Sequence, residues 1–466
     1  GPPISPSAWI YRQPFSPSTG FLGWSLPRVT ESESKGARRC GAPFAQSRMT
    51  DAPQEKFTAY HWQLFGFLGV ATFFEGYDHI ALSQLLPNLR EEFGVSEAYG
   101  GYTVALINVG TILAYFLVRK ADRWGRRRVL TITIAGYTGF SFLSALSPNI
   151  WMFAGCQLVA RIFLIGEWAI SMVYAAEEFP THRRGLMIGL IQAFSSLGSV
   201  VCAGAVPILL ASPWGWRTVY LVGTVPLILL AFARRGLKES KRFEAMDASE
   251  KTGGSLFAIW KTPYRKRVLQ LAAIWALTYL CSQTAVTFWK EYATAPAPAA
   301  GPHLTDAEVG GYIVFGALIA MPLVFAVGFL IDFFGRKKSA AVIFILTALS
   351  ALGAYTAEHP ALLFVSIVGA IFGASAVLPV LNAFNTELFP TNLRGDAFAW
   401  SNNLFGRIGY VFAPAAVGAA AEIYGWGPSV AVTAVGPIAA LALILWWLPE
   451  TAGKDLDETS KMGARS

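Results

Sequence analysis

Two acidic residues lie in the middle of an apolar segment near the start of the chain. Glu75 and Asp78 fall within "FFEGYDHI" (73–80), and the run from 62 to 86 around them is hydrophobic. Residues three apart share one face of a helix. A charge at the centre of a bilayer costs about 2.5–3.5 kcal/mol on insertion scales, so it must face a wet cavity, pair with an opposite charge or be neutralised. Because burial and a second acid both favour the protonated carboxyl group, we predict that Glu75 or Asp78 carries a proton.

Two arginines and a third acid also lie inside apolar segments. They are Arg161 and Glu167 in "RIFLIGEW" (161–168), and Arg407 in "FGRIGYVFAP" (405–414). The rise of an α-helix puts Arg161 roughly 16 Å and Arg407 roughly 20 Å into its segment. A guanidinium group binds a carboxylate through two parallel hydrogen bonds. We therefore predict substrate contacts for Arg161 and Arg407 and a second proton carrier in Glu167. A structural ion pair is the alternative for each buried charge.

Further polar and aromatic side chains of the apolar segments could contact a small molecule by hydrogen bonding or ring stacking. The predicted substrate-binding set contains Tyr77, Gln192, Tyr279, Gln283, Asn382, Asn385 and Asn403, and the same reasoning extends to Trp275, Trp289 and Asn402. Aromatic residues make up 14% of the chain, so core packing is the alternative for each ring. Contacts between helices are the alternative for each amide.

The composition indicates a membrane protein. Of 466 residues, 54% are hydrophobic and 14% are charged, whereas soluble proteins average about 25% charged residues. The net charge of +8 comes from short basic clusters between apolar runs, which argues against a nucleic-acid partner. The four cysteines are scattered, and the chain has none of the zinc-protease, nucleophile-elbow or P-loop motifs. We therefore expect no metal, no cofactor and no enzymatic activity.

Twelve apolar segments are long enough to cross a bilayer, which needs about 20 residues per helix. The sequence predicts spans at about 61–87, 98–118, 127–147, 150–176, 185–211, 216–234, 268–292, 307–331, 338–357, 360–386, 394–421 and 428–448.

The distribution of Lys and Arg predicts the orientation of these spans. The loop "RKADRWGRRR" (119–128) carries six basic residues, and the stretch 234–267 carries many more. The loops of the other side hold Arg90, Arg217 and Lys290. Because basic loops stay in the cytoplasm, both termini are predicted to be cytoplasmic.

The same reasoning divides the chain into five parts. Residues 49–234 and 268–448 are predicted to form two six-helix bundles, joined by a cytoplasmic linker at 235–267 and followed by a cytoplasmic tail at 449–466. Residues 1–48 are rich in Pro, Ser and Arg and lack periodicity, so we expect a disordered tail. Met49 would suit a native start, and whether 1–48 is native stays open.

An internal repeat relates the two predicted bundles. "DRWGRRR" and "DFFGRKK" lie 210 residues apart, and so do "EEFPTHRRG" and "ELFPTNLRG". Such duplication is typical of transporters whose substrate site lies between two rocking halves. A charge network that breaks on opening would suit a latch, because exposed ion pairs are weak. The predicted cytoplasmic gate comprises Asp122, Arg123, Gly125, Arg126, Glu177, Arg184, Asp332, Gly335, Arg336, Glu387 and Arg394.

These motifs resemble those of the major facilitator superfamily. The family's G-x-x-x-D-R-x-G-R-R loop matches 118–127 except that Val118 replaces its glycine, which predicts looser packing there; the second copy keeps Gly328. "LKESKRF" (237–243) and "LPETAGKDLDE" (448–458) are similar to segments that follow the sixth and twelfth helices. The resemblance implies an all-α membrane fold of twelve helices in two pseudo-symmetric bundles.

The branch of the family bears on the substrate. The motifs resemble those of the aromatic-acid, organic-ion and sugar-porter branches. "EGYD" (75–78) is similar to the D-G-x-D motif of aromatic-acid symporters, with Glu75 in place of the first Asp, and "FGRIGYVFAP" (405–414) is similar to a motif of the organic-ion branch. The resemblance implies a proton-coupled symporter of a small organic acid in a bacterial inner membrane, with the lipid bilayer and protons as partners. No oligomerisation signal is found, so a monomer is expected. The alternatives are a sugar or other neutral-metabolite porter and proton-driven drug efflux, the latter disfavoured because the G-x-x-x-G-P-x-x-G motif is missing.

Overall fold

The computed structural model of the protein describes residues 57–180, 184–233, 239, 257–296 and 301–464. The predicted tail at 1–48 and most of the predicted linker at 235–267 lie outside the described residues. All regular structure in the described ranges is helical. The predicted all-α architecture is therefore confirmed.

Six long helices make up the first part of the described chain, which we call the N-half. They are α1 (Ala59–Phe93), α2 (Glu97–Trp124), α3 (Arg126–Ala145), α4 (Ile150–Glu178), α5 (Arg184–Leu210) and α6 (Trp216–Ala233).

Six further helices, some of them interrupted, make up the C-half. They are α7 (Arg265–Ser282, continued by Thr284–Thr287, with the separate short helix Trp289–Ala293 after it), α8 (Asp306–Phe334), α9 (Arg336–Thr356), α10 (Pro360–Glu387), α11 (Arg394–Tyr424) and α12 (Trp426–Trp447), and a short α13 (Leu456–Ala464) follows them.

Ten of these helices are long and apolar enough to cross a membrane. The two that fall short, α1 and α3, carry polar groups that lower their mean hydropathy: α1 contains Glu75 and Asp78, and α3 begins with three arginines. Large apolar side chains point outward, such as Phe333 at 82% and Trp446 at 80% exposure. A soluble protein rarely exposes apolar surface on this scale, whereas lipid tails would cover it.

The two halves touch along two helix pairs, α2 with α11 and α5 with α8. Gly101 of α2 faces Gly418 of α11, and a Cβ atom on Gly101 would lie 2.7 Å from the Gly418 Cα atom. Gly310 of α8 lies similarly close to Ala203 and Pro207 of α5. Small residues let helix backbones approach this closely in membranes. Both contacts lie at the end of the bundle where α1 joins α2, which we call the α1–α2 end.

Candidate substrate and proton site

A buried ion pair occupies the centre of the N-half. The Arg161 Nη2 atom of α4 lies 3.4 Å from the Asp78 Oδ2 atom of α1, and both residues are at most 4% exposed. Tyr137 of α3 lies near Asp78, and its hydroxyl donates a hydrogen bond of 3.5 Å to the Phe74 carbonyl of α1. The alternative of an ion pair, considered above for each buried charge, is thus realised for these two residues.

Glu75 lies one helical turn before Asp78 and has a different partner. The Ser195 hydroxyl of α5 donates a hydrogen bond of 2.5 Å to the Glu75 Oε2 atom. Gly76 and Gly198 make this possible, because α1 and α5 cross so closely there that a Cβ atom on either would collide with the other backbone. Glu75 interacts electrostatically with Arg161, with Asp78 and, from the C-half, with Arg407. We call Glu75, Asp78, Arg161 and Arg407 the central charge cluster.

Arg407 is positioned by an irregular part of α11. A π-helical segment, Ala399–Gly406, ends directly before it. Such segments are uncommon and often lie at functional sites. Glycine at 406 and 409 allows α11 to pack against α7, because a Cβ atom on Gly406 would lie 2.6 Å from the Trp275 Cβ atom. The π-helical segment and this close crossing bring Arg407 alongside the aromatic residues of α7.

Three aromatic rings form a wall beside Arg407. The Arg407 guanidinium lies over the Tyr410 ring, 5.8 Å from its centroid. Tyr410 packs edge-on against Tyr279 at 5.5 Å, and Tyr279 stacks on Trp275 at 5.3 Å. The Tyr279 hydroxyl donates a hydrogen bond of 2.9 Å to Asn402. A flat ring carrying an anionic group would find both stacking and charge here.

Both arginines of the cluster retain bonding capacity. The Nε atoms of Arg161 and Arg407 are buried and have no hydrogen-bond acceptor among the described residues. An unsatisfied buried donor is costly, so these groups favour an acceptor supplied by water or a ligand. One arginine belongs to each half, so a ligand accepting from both would bridge the halves.

Two predicted residues lie elsewhere in the N-half. The Tyr77 hydroxyl donates a hydrogen bond of 3.0 Å to the Val219 carbonyl of α6, and its ring packs beside Phe74. Tyr77 thus packs inside the N-half. Glu167 is buried between α3 and α4, where the hydroxyls of Thr133 (2.5 Å) and Ser171 (3.3 Å) donate to it. It does not join the central charge cluster.

The predicted amides and the second tryptophan have varied surroundings. Asn385 is buried and accepts a hydrogen bond of 2.8 Å from Ser401, joining α10 to the π-helical segment. Gln192 is exposed and accepts from Trp168 at 3.1 Å. Trp289 donates to the Ala354 carbonyl within the C-half core. Asn382 is exposed, and Asn403 and Gln283 are half-buried.

The repeated motifs build the same clamp in each half. Arg126 of α3 lies 3.0 Å from Glu177 of α4, and Arg336 of α9 lies 2.6 Å from Glu387 of α10. Each arginine also donates to a carbonyl near the end of the preceding helix, as Arg336 does to Ile331. In each clamp, all the partners named here belong to the same half of the molecule. A latch between the halves remains a prediction.

Each clamp is completed by a glutamate that follows the last membrane helix of its half, α6 or α12. Glu239 accepts hydrogen bonds from the first two backbone N–H groups of α3, and Glu450 does the same for α9. Burial alone would raise the pKa of Glu450, but backbone N–H donors lower it below its usual value. Gly125 and Gly335 permit the sharp turns, because both have a φ of 90°. The motifs around Glu239 and Glu450 did not by themselves indicate this capping role; the position of each glutamate after the sixth helix of its half was the available signal.

The other predicted gate residues are less central. Arg394 donates to the nearby Phe389 carbonyl at 3.4 Å, and Asp332 is 79% exposed beside Arg336. Arg123 is exposed, and the side chains of Asp122 and Arg184 lie outside the described residues.

The glycine that Val118 replaces in the first copy of the loop motif is kept as Gly328 in the second copy. A Cβ atom on Gly328 would meet nothing within 4 Å, so this glycine makes no tight contact that Val118 could have lost. The predicted loosening at Val118 is therefore unsupported.

A second charge cluster joins the halves at the α1–α2 end. Arg90 of α1 lies 2.7 Å from Glu97 of α2 and 2.5 Å from Glu291, which follows α7. Next to it, Lys290 lies 2.6 Å from Asp306 of α8. We call these five residues the seal cluster. In the sequence, Arg90 and Lys290 stand out only as two of the few cations on their side of the membrane; the acidic residues close to them were the missed signal.

Comparison with known proteins identifies the family. The sequence model described as Major Facilitator Superfamily matches residues 68–297 and 291–465, which is most of the chain. The chain belongs to this superfamily. The recognition made from the motifs is confirmed.

Relatives of this superfamily member are named transporters. It is 24% identical over 403 residues to the sialic acid transporter NanX of Escherichia coli K12, covering 85% of this chain and 95% of that one. It is 27% identical over 419 residues to the gallate transporter of Pseudomonas putida, covering 83% and 91%.

A solved structure shares the fold. The inward-open xylose transporter XylE from E. coli matches with a TM-score of 0.65 at 22% identity, covering 86% of this chain and 99% of that one. Together the comparisons support a multi-pass membrane transporter of a small molecule.

Proposed function

We propose that this protein is a proton-coupled symporter of a small organic acid, preferably an aromatic carboxylate, in the cytoplasmic membrane. The observation that carries the proposal is the pair of buried arginines, one from each half, whose Nε atoms lack an acceptor among the described residues. A carboxylate could accept from both Arg161 and Arg407. The rings of Tyr279 and Tyr410 would then contact an attached aromatic group. Sialic acid and gallate, named for two relatives, both carry a carboxyl group.

Proton coupling follows from competition for Arg161. In the present arrangement Asp78 neutralises Arg161 at 3.4 Å. An incoming carboxylate that bonds to Arg161 would leave Asp78 buried and unpaired, and such a group is costly unless it takes up a proton. Glu75, one turn away, could receive or pass on that proton. Binding of one anion and one proton would thus leave the net charge of the site unchanged.

Alternating access would move this cargo across the membrane. The basic loops favour cytoplasmic termini, so the α1–α2 end would face outward. The glycine contacts and the seal cluster hold the halves together at that end. We infer that the described conformation is closed to the outside, and that tilting of the halves about the central site opens it. The absence of an oligomerisation signal in the sequence supports a monomer as the working unit.

The test is uptake into proteoliposomes of radiolabelled benzoates, dicarboxylates and hexoses, with and without an inward proton gradient. We expect accumulation of a carboxylate that depends on the gradient. Accumulation of a hexose but of no carboxylate would favour the neutral-metabolite alternative and overturn the substrate proposal. Equal accumulation with and without the gradient would overturn proton coupling.

A further inference from the structure

The seal cluster links the two halves through one guanidinium group. Arg90 donates through Nη1 to Glu291 of the C-half at 2.5 Å, while its Nη2 atom contacts Glu97 and its Nε atom donates to the Ser96 carbonyl at 3.3 Å. The Arg90 guanidinium also lies 5.7 Å from the ring centroid of Trp426 in α12. Of these contacts, those to Glu291 and Trp426 reach the C-half. Arg90 is therefore bound to its own half through Ser96 and Glu97, and Glu291 is its main contact with the C-half.

Only one of the two oxygen atoms of the Glu291 carboxylate has a hydrogen-bond donor among the described residues. Its Oε2 atom accepts from Arg90, but its buried Oε1 atom has no hydrogen-bond donor in the part of the chain that the structure describes. Glu291 is 4% exposed, yet it lines a cavity of about 1050 Å³ at the α1–α2 end, together with Glu91, Glu97 and Asp306. An unpartnered carboxylate oxygen beside such a cavity is a ready proton acceptor.

We propose that Glu291 is a proton switch of the seal: protonation from the cavity releases Arg90 and allows the halves to separate at the α1–α2 end. This inference rests on the proposed alternating access, and it adds a site distinct from the central charge cluster. Loading from an acidic exterior would then begin with opening of the outer end. A neutral carboxyl group would still accept a hydrogen bond from Arg90, but without the charge attraction that holds the guanidinium.

The surrounding charges set the pH at which this happens. Burial raises the pKa of Glu291 to about 7, although Arg90 lowers it. Glu97 of α2 also raises the pKa of Glu291, and Lys290 lowers it less because Asp306 of α8 neutralises that lysine. Glu358, after α9, lies near enough to interact with the neighbouring Tyr292, and α12 offers only the uncharged Trp426. Above pH 7 the ion pair is intact; below it Glu291 is protonated and the seal weakens.

The experiment measures the width of the α1–α2 end directly. Spin labels on Ala211→Cys and Ala307→Cys, in the full chain with its native cysteines replaced, report the distance between α5 and α8. Both positions are exposed and lie close to the contact of Pro207 with Gly310. In lipid nanodiscs without substrate, we expect a longer-distance population that grows as the pH falls from 8 to 5. A single proton changes the ratio of open to closed forms by at most about tenfold per pH unit.

Variants separate the switch from a general effect of pH. Glu291→Gln is expected to show at pH 8 the longer distance that the unaltered protein shows at pH 5, with the pH response lost. Glu92→Gln is the matched control, because Glu92 pairs at 2.6 Å with Arg217 of its own half; it should titrate like the unaltered protein. Arg90→Gln should open the seal at every pH.

Two results would overturn the proposal. One is a distance that does not change between pH 8 and 5 in the unaltered protein, a result that needs no variant to fold. The other is a Glu291→Gln variant that stays closed at pH 8 or keeps the normal titration. Because no substrate or gradient is present, either result is independent of whether the uptake experiment identifies a carboxylate or a hexose.

Discussion

Asp78 and Arg161 form a buried ion pair. Removing one partner destabilises the protein because the other charge stays buried without a counter-charge. Breaking a buried pair from one side typically costs about 3–5 kcal/mol. Asp78→Asn leaves Arg161 uncompensated, and Glu75→Gln removes the acid one turn away. Because neither amide can take up the coupled proton, we expect both variants to lose gradient-driven accumulation in proteoliposomes.

Glu167→Gln provides the comparison for these two variants. Glu167 is buried as they are, but it is bonded to hydroxyls between α3 and α4. Retained accumulation in Glu167→Gln would separate it from the proton path. If Asp78→Asn and Glu75→Gln both accumulate substrate fully, neither residue carries the coupled proton.

Arg407 offers a test of the substrate class. Arg407→Ala is expected to weaken binding of a carboxylate by about 10- to 150-fold, since a hydrogen bond to a charged group contributes about 1.5–3 kcal/mol. Arg407→Lys should recover only part of this, because an ammonium group lacks the planar fork. Equilibrium binding by calorimetry measures both, with Arg217→Ala at the α1–α2 end as the control. Unchanged affinity in Arg407→Ala would contradict its role.

Residue type and depth were enough to find the members of the central charge cluster in the sequence. They could not show which way a neighbour points: Tyr77 directly precedes Asp78, but a helix turns about 100° per residue, which directs Tyr77 toward α6. Ser195, Tyr137 and Tyr410 were missed, because hydroxyl side chains are common in membrane helices and nothing in their local sequence marks them.

At the scale of helices, the repeated clamp predicts how α9 is held at its start. Glu450→Ala removes the acceptor of two helical N–H groups, and loss of a helix cap costs about 0.5–2 kcal/mol. We expect a lower unfolding temperature in detergent, measured by circular dichroism. Glu458→Ala, at an exposed position eight residues later, is the control and should leave the temperature unchanged. Equal temperatures for the two variants would contradict the capping role.

Hydropathy predicted the twelve helices to within a few residues at most ends, because each apolar run must satisfy its own backbone hydrogen bonds in lipid. It could not predict the π-helical segment of α11 or the break after Ser282 in α7. The π-helical segment ends where α11 packs on α7, with Gly406 against Trp275 and Gly409 against Ala276. Such contacts join segments more than 100 residues apart, which local periodicity does not encode.

For the whole molecule, the basic loops predict a testable orientation. A single cysteine at Ala211→Cys, between α5 and α6, should react with an impermeant maleimide added outside intact cells. One at Lys338→Cys, at the start of α9, should react only after the membrane is opened. Both positions are exposed. The reverse pattern of labelling would contradict cytoplasmic termini.

The sequence could predict this architecture but not at which end the halves make contact. Duplication and charge bias can be read from the chain, whereas the contacts at the α1–α2 end exist only in the folded structure. The seal depends on Arg90 meeting Glu291 across 201 residues of sequence. Nothing in the local sequence around either residue marks it as one side of a contact between the halves.

Each half supplies all the clamp partners named above for its own clamp, including a glutamate placed after its last membrane helix. Severing the polypeptide between Glu239 and Phe257 would therefore cost neither bundle a clamp. Two separately encoded fragments, coexpressed, should recover a working carrier by association in the bilayer, whereas a first fragment ending at Ala233 would leave the start of α3 uncapped. The molecule is in this sense a covalently tethered heterodimer.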